Sequence, residues 1–158
     1  MKVKTSELTD AALDWAVAKA KNLIFAKAHG PGTVIFDAVW THPEPTGRQT
    51  AYVLRKSYEF WAAKCDSPIL GGKRLWLPST DWSLGGPIID REDIDVLRDT
   101  ETVFGAKLAR TAKHPQRDVL SYFVQRGPTK LTAAMRCYVA SKLGDEVEIP
   151  DELLKEQP

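Results

Sequence analysis

The stretch from Arg126 to Leu153 constrains the fold of this chain most, because it predicts one helix with both ends marked. Thr129 is placed to accept a hydrogen bond from a free amide of the first turn, and Pro128 precedes it, where a missing N–H does no harm. Gly144 is typical of the residue that follows a last helical turn. One face is apolar at helical spacing and is predicted to be core: Leu131, Met135, Tyr138 and Val139.

A second helix is predicted near the N-terminus, after a short extended lead at residues 2–4. Thr9 is the predicted N-cap, and Asp10 suits the positive end of the helix dipole. The helix is predicted to end before Gly30-Pro31-Gly32, because this tripeptide cannot continue it. Its apolar stripe contains Leu13, Ala16, Val17, Ala20, Leu23, Ile24 and Ala28.

The segments between these helices are rich in β-branched and aromatic residues and are separated by Gly/Pro-containing loops. The first half of residues 49–61 is predicted to be a strand, with a helix over residues 51–64 as the alternative. Residues 87–92 are predicted to form a single helical turn after Gly85-Gly86. Loops are predicted at residues 41–47, 78–86 and 113–117, and further strands at residues 33–40, 73–77, 93–96, 102–108 and 119–124. The predicted fold class is α+β, a small antiparallel sheet packed against N-terminal and C-terminal helices.

The formal net charge of +1 conceals an acidic C-terminus. The first 144 residues hold 21 basic and 15 acidic residues, a net charge of +6, and the acidic excess begins at about residue 145. Such a segment is typical of a solvated tail, and folding over a basic surface is the alternative. The basic residues form no run and do not alternate with aromatic residues, so direct nucleic-acid binding is not favoured.

The 158 residues suffice for a single domain with its own core. No apolar run approaches the roughly 20 residues that span a bilayer, and the first residues do not resemble a secretory signal. The host cytoplasm is therefore the expected compartment. Cys65 and Cys137 are isolated, which predicts reduced thiols and argues against a zinc site. No cofactor or metal is predicted.

Common catalytic and nucleotide-binding motifs are absent from the sequence, including the P-loop, GxGxxG, GxSxG and HExxH. Three histidines, His29, His42 and His114, lie in or beside predicted loops and are interpreted as solvated. An acidic cluster comprises Asp90, Glu92, Asp93 and Asp95. Because Asp93 and Asp95 would share one face of a predicted strand, the cluster is either a solvated face or a divalent-cation site.

The best candidate site is the loop from Ser79 to Pro87 together with Arg91. Trp82 is placed to stack on a base, and Arg91 to meet a phosphate. Gly85 and Gly86 would permit close backbone approach and positive φ angles. The predicted ligand-binding residues are Ser79, Thr80, Asp81, Trp82, Gly85, Gly86, Arg91 and Thr129, the last at a helix N-terminus suited to an anion.

A structural role is the alternative for the same loop. In that interpretation Trp82 lies in the core and Asp81 accepts a hydrogen bond from a nearby amide such as that of Ser83. Thr129 would then be a plain N-cap.

Several segments together resemble the NinX-like family of small phage and prophage proteins. These are the opening nine residues, residues 12–18, Pro78–Trp82, Gly85–Ile89 and the C-terminal helix. The resemblance covers about half the chain, and residues 41–75 and 98–118 look like insertions. It implies a phage protein and carries over no catalytic or ligand-binding residue.

The hypothesis favoured at this point is a non-enzymatic protein that sequesters a nucleotide-like signal of host defence. It rests on the phage family, the missing catalytic motifs and the chemistry of the Ser79–Arg91 segment. The first alternative is an accessory protein of phage DNA replication or recombination that acts through protein contacts. A metal-dependent hydrolase using Asp90, Glu92 and Asp93 is a third. Five tryptophans also suggest a homo-oligomer, with Trp40 and Trp61 at its interface.

Overall fold

The computed structural model describes residues 1–22, 24–29, 35–40, 51–53, 76–112, 116 and 119–154. The described helices are α1 (Asp10–Ala20), α2 (Trp82–Glu92) and α3 (Lys130–Leu143), with 3-10 turns at Thr5–Glu7 and Asp151–Leu153. The strands are β1 (Lys2–Lys4), β2 (Ile24–His29), β3 (Ile35–Trp40), β4 (Ala51–Val53), β5 (Asp95–Arg98), β6 (Phe104–Ala112), β7 (Val119–Gly127) and β8 (Glu146–Glu148). This arrangement of helices and antiparallel sheets confirms the predicted α+β class.

The described strands form three antiparallel sheets, ordered β1-β8, β2-β3-β4 and β5-β6-β7. The third sheet is built on the β6–β7 pair, whose register runs from Phe104 opposite Gly127 to Ala112 opposite Val119. The predicted pairing of the two strands around residues 93–108 is confirmed, although β5 begins at Asp95. The turn between them is closed by the amides of Asp99 and Thr100, which each donate to the Val103 carbonyl at 3.0 Å.

Helix α3 is the centre of the core, as its sequence predicted. Every residue from Leu131 to Ala140 is buried, so the helix is enclosed on all sides and not only along its apolar stripe. It packs against β6, β7, α1 and α2. The predicted N-cap is confirmed, because the Thr129 hydroxyl accepts from the Thr132 amide at 3.0 Å. Gly144 ends the helix with a φ of 94°, which a residue with a side chain rarely adopts.

Arg136 is a buried cation inside α3 that joins three parts of the chain. Its Nε donates to the Leu8 carbonyl at 2.8 Å, and a terminal nitrogen donates to the Arg126 carbonyl at 2.7 Å. Burial lowers its pKa. A charged donor of this kind forms strong hydrogen bonds with carbonyls, so Arg136 fastens the N-terminal segment and β7 to α3.

Helix α1 is shorter than its apolar stripe predicted. It ends at Ala20, and Asn22 adopts a left-handed φ of 55°. The chain then enters β2, in which Ile24 pairs with Trp40 and His29 with Ile35. The prediction that the helix extends to Ala28 was wrong, because strand pairing with distant residues overrides a helical period. Thr9 occupies the N-cap position as predicted, but its side chain makes no capping hydrogen bond.

Helix α1 has its main contacts with another helix. Leu13, Val17 and Ala20 are buried, and among the described elements α1 packs mainly against α3, which in turn packs against β6 and β7. Helix α3 therefore lies between α1 and the β5-β6-β7 sheet.

The remaining predicted strands have mixed outcomes. The strand at residues 33–40 is confirmed over Ile35–Trp40, and that at 119–124 extends to Gly127. Of residues 49–61, Ala51–Val53 form a strand. Trp76 and Leu77 are not in a strand, contrary to prediction. The loop at residues 41–47, and nearly all of that at 113–117, lie outside the described residues.

The acidic C-terminal segment is folded onto the N-terminus. Strand β8 pairs with β1, which places Glu148 opposite Lys2 and Glu146 opposite Lys4. Val147 and Ile149 are buried, and the Ile149 amide donates to the Met1 carbonyl at 2.9 Å. The predicted solvated tail was therefore wrong for residues 146–149, because alternate apolar residues anchor the segment while its glutamates face solvent.

Cys137 is a free and buried thiol, as predicted. Burial raises its pKa to about 12, which leaves it protonated and unreactive at neutral pH. Cys65 lies outside the described residues. Within the described part of the chain, no helix has the length and apolarity required to cross a membrane.

Candidate functional site

The candidate segment begins with a turn that is fixed to α1. The Ser79 amide donates to the buried Asp14 carboxylate at 2.8 Å, and the Trp76 indole donates to the Asp14 carbonyl at 2.8 Å. Ser79 is only 2% exposed, and its hydroxyl has no hydrogen-bond partner among the described residues. Thr80 is exposed. Ser79 therefore faces the core, whereas Thr80 is available at the surface.

Residues predicted to form a glycine-rich loop are helical in the structure. Helix α2 begins at Trp82, five residues before the predicted turn, and continues through Pro87. Asp81 is its N-cap and accepts from the Ser83 amide at 2.8 Å and the Ser83 hydroxyl at 2.7 Å. The Asp81–Ser83 hydrogen bond is the one expected if the loop is structural.

Trp82 is at the surface and not in the core, contrary to the structural alternative. Its side chain is 55% exposed at the first position of α2. A Cβ placed on Gly86 would lie 3.7 Å from the Trp82 ring, so the ring covers one side of Gly86. The exposed part of the indole is free to contact another molecule.

The two glycines do not adopt the predicted backbone conformation. Neither has a positive φ, which among the described glycines occurs only at Gly144. A Cβ on Gly85 would lie 2.3 Å from the Pro78 carbonyl oxygen and 2.6 Å from the Leu131 Cδ2. Gly85 is therefore required for the close packing of α2 against Pro78 and Leu131.

The eight predicted site residues do not form a single group. Gly85 contacts Leu131 near the start of α3, and Glu92 lies 3.6 Å from Lys142 near the end of α3, so α2 and α3 run side by side in the same direction. Thr129 thus lies at the same end as Trp82. Arg91 is nine residues from Trp82, which in a helix means about 13 Å along the axis and roughly half a turn around it. Arg91 cannot share a small ligand with the Trp82 ring.

Arg91 belongs instead to a group of charges around Glu92, which we call the Glu92 cluster. Its other members are Lys21 after α1, Arg110 in β6 and Lys142 in α3. Arg110 forms a hydrogen-bonded ion pair with the Glu92 carboxylate, Lys142 lies 3.6 Å from it and Arg91 3.8 Å. Sequence reasoning missed this cluster, because its cations come from three separate elements and the turn after α1, and no local motif marks them.

The predicted metal-binding alternative is not supported at Asp93 and Asp95. Asp93 ends α2 in a left-handed conformation with a φ of 54°, so it lies outside β5 and does not share a strand face with Asp95. Glu92 is surrounded by cations. No group of three or more potential metal ligands occurs among the described residues. The side chains of His29, His42 and His114 lie outside the described part of the chain.

Glu92 is expected to make protein stability depend on pH. Burial alone would raise its pKa, but the hydrogen bond and charge of Arg110, with the charges of Lys142 and Arg91, lower the pKa below 4.5. A lowered folded-state pKa stabilises the fold above the unfolded-state value, and this contribution is lost as pH falls through the folded-state value. The free energies of unfolding of wild type and Glu92→Gln, measured with denaturant, should therefore differ by a constant amount above about pH 5.5. This difference should disappear under acidic conditions.

The matched control for this comparison is Glu101→Gln, at an exposed position in the β5–β6 turn. It removes one carboxylate without disturbing the Glu92 cluster. A wild-type advantage over Glu92→Gln that grows as the pH is lowered would contradict the assignment.

Comparison with known proteins gives one family. The family described as "Bacteriophage P22, NinX" matches residues 4–142, which includes all three described helices apart from the last residue of α3. A comparison with curated proteins found no match to the chain. Because the match covers most of the sequence, it confirms the resemblance found from the sequence segments. The chain therefore belongs to the NinX family of bacteriophage proteins.

Proposed function

We propose that this phage protein is a non-enzymatic ligand-binding protein that acts in the host cytoplasm and sequesters a nucleotide-like signal of host defence. The observation that carries the proposal is the exposed Trp82 ring at the start of α2. Tryptophan is highly buried on average, so an indole that is about half exposed at a helix terminus is suited to contact with another molecule.

The groups around Trp82 suit a flat ligand with polar substituents. Thr80 presents an exposed hydroxyl, and the exposed Asp81 and Ser83 side chains are hydrogen-bonded to each other beside the indole. The N-termini of α2 and α3 lie at the same end, where helix dipoles favour an anion. Of the eight predicted residues, Thr80, Asp81, Trp82, Gly86 and Thr129 could contact such a ligand, whereas Ser79 and Gly85 would hold the segment in place.

Replacing Trp82 by Ala should weaken nucleotide binding by about 1–3 kcal/mol, because a base loses its stacking partner. Calorimetry against a panel of cyclic and ADP-ribose-type nucleotides measures the effect. The ligand should be recovered chemically unchanged after denaturation of the protein. Trp82→Phe keeps an aromatic face and should retain part of the affinity.

Tyr122→Ala is the matched control, because this tyrosine on β7 is also 55% exposed and lies on another element. Neither substitution removes a buried side chain, so both variants should keep the wild-type melting temperature. The proposal fails if wild type gives no heat with any nucleotide of the panel, or if Trp82→Ala and Tyr122→Ala weaken binding equally.

A second candidate function is the accessory role in phage DNA replication or recombination through protein contacts. It is favoured by the outer face of the β5–β6–β7 sheet, where Leu120, Tyr122 and Val124 alternate along β7 and all are exposed. The strand register places Leu97 of β5 on the same face, and it too is exposed. If the protein has this accessory role, phage carrying Val124→Glu should replicate poorly and phage carrying Trp82→Ala should replicate normally. If it sequesters a defence signal, phage carrying Trp82→Ala should replicate poorly in hosts with the defence system, and phage carrying Val124→Glu should replicate normally.

We also propose self-association through the outer face of the β5-β6-β7 sheet, because exposed apolar side chains such as Leu120 and Val124 are typical of an interface. The side chains of Trp40 and Trp61, at which the sequence placed the interface, lie outside the described residues. A monomer mass measured by light scattering over a wide concentration range would contradict the proposal of a homo-oligomer.

A further inference from the structure

We propose that the Glu92 cluster binds the phosphate group of a small molecule. The inference is independent of the proposed Trp82 site, from which Arg91 is separated by about 13 Å along α2. It rests on three cations from three elements, Arg91, Arg110 and Lys142, that lie within 4 Å of one carboxylate. Lys21 is close enough to interact electrostatically with Glu92 and Arg91.

The cluster is held by contacts between secondary-structure elements. Arg110 on β6 contacts both the Glu92 carboxylate and, at 3.4 Å, the Ser141 hydroxyl of α3. Lys142 and Arg91 approach Glu92 at 3.6 and 3.8 Å, which is too far for a good hydrogen bond. Their donors are therefore near the carboxylate but are not used by it. An ammonium carries three N–H donors and a guanidinium five, so the cluster offers several to an incoming oxyanion.

The charges of the cluster do not cancel within the described residues. Within 4 Å of the Glu92 carboxylate lie three cations, Arg91, Arg110 and Lys142, and Lys21 adds positive charge nearby. The ends of α1, α2 and α3 also meet here, and each helix C-terminus contributes roughly −0.5 charge. These dipoles compensate part of the positive charge, and the remainder favours an added anion.

Burial gives the cluster a recessed base and an exposed rim. The Glu92 side chain is 11% exposed and that of Arg110 35%, whereas that of Arg91 is 60% exposed. Burial, followed by the nearby charge of Arg91, lowers the pKa of Lys21, so this lysine carries its charge at an energetic cost that a bound anion would reduce. A compact tetrahedral anion needs only the exposed donors around Arg91, whereas a nucleic-acid backbone requires contacts spread over an open surface.

The test uses pyrophosphate and inorganic phosphate as probes, titrated into the full chain by calorimetry at fixed ionic strength. Wild type is expected to bind pyrophosphate more tightly than inorganic phosphate. Arg91→Gln should weaken pyrophosphate binding about tenfold or more, as expected for the loss of one charge-assisted hydrogen bond. Lys21→Gln is a second variant, and it should weaken binding in the same direction.

The matched control is Arg98→Gln, which removes an exposed arginine at the other end of the sheet, where Arg98 lies over the Phe104 ring. Six residues of β6 separate Phe104 from Arg110, or about 20 Å. This variant should bind pyrophosphate like wild type. No binding by wild type, or equal losses in Arg91→Gln and Arg98→Gln, would overturn the proposal. Binding of a labelled DNA duplex that depends on Arg91 and exceeds that of pyrophosphate would also overturn it.

Discussion

Met135→Ala is expected to lower the free energy of unfolding by about 2–5 kcal/mol. Met135 has no exposed surface and lies in the middle of α3, the helix that packs against the sheet, α1 and α2. Removing its side chain deletes apolar contacts and leaves a cavity that surrounding elements cannot easily fill. Leu131→Ala should have an effect in the same range, since the Leu131 side chain is buried and packs against Gly85 of α2.

Denaturant unfolding at neutral pH measures this prediction, with Val124→Ala as the control. Val124 is an apolar residue of β7 that is 60% exposed, so its truncation should change stability by less than about 0.5 kcal/mol. Losses below about 0.5 kcal/mol for both Met135→Ala and Leu131→Ala would show that α3 is not the centre of the core.

Helix α3 could be predicted from the sequence because everything that defines it is local. Thr129 and Gly144 mark its ends, and Leu131, Met135 and Val139 mark its buried face. The amino acids alone did not predict that the helix would be buried on all sides. That property depends on α1, α2 and the β6–β7 pair, which enclose it from distant parts of the chain.

The end of α1 could not be predicted, since two periodicities overlap there. Leu23, Ile24 and Ala28 continue the helical stripe, but residues 24–29 also pair with residues 35–40. A gain from strand pairing outweighs the modest helix propensity of such a segment. The left-handed Asn22 makes the change of direction, and asparagine tolerates this conformation better than most residues.

The full extent of helix α2 in the Ser79–Arg91 segment could not be predicted from the sequence. Gly85 and Gly86 are poor helix formers and proline favours the first position of a helix, so a loop up to Gly86 and a helical turn from Pro87 were the expectation. The structure shows that Asp81 caps the helix and that Gly85 allows it to pack closely. Because the segment is helical, Trp82 lies exposed at one end of α2 and Arg91 lies in the Glu92 cluster at the other end. The sequence alone did not show that the two side chains are separated.

Replacing the two adjacent glycines by alanine is expected to produce effects of opposite sign on the free energy of unfolding, about 1–4 kcal/mol apart. Gly86→Ala should stabilise the protein by up to about 1 kcal/mol, because alanine is the better helix former and its Cβ would have the Trp82 ring at an ordinary 3.7 Å. Gly85→Ala should destabilise it by about 1–3 kcal/mol, because the new Cβ would overlap the Pro78 carbonyl oxygen at 2.3 Å. Backbone atoms at that distance must move, and α2 would be displaced from α3.

Denaturant unfolding of the two variants distinguishes packing from ligand access. If Gly85 serves packing, Gly85→Ala loses stability in the absence of any ligand, and nucleotide binding falls only in proportion to the unfolded fraction. Gly86→Ala, in contrast, stays folded and adds a methyl group beside the exposed indole, so any loss of affinity in this variant reports directly on the Trp82 surface. Equal stability of the two variants would mean that α2 does not pack against Pro78 and Leu131, and the loop interpretation of Gly85 and Gly86 would then be restored.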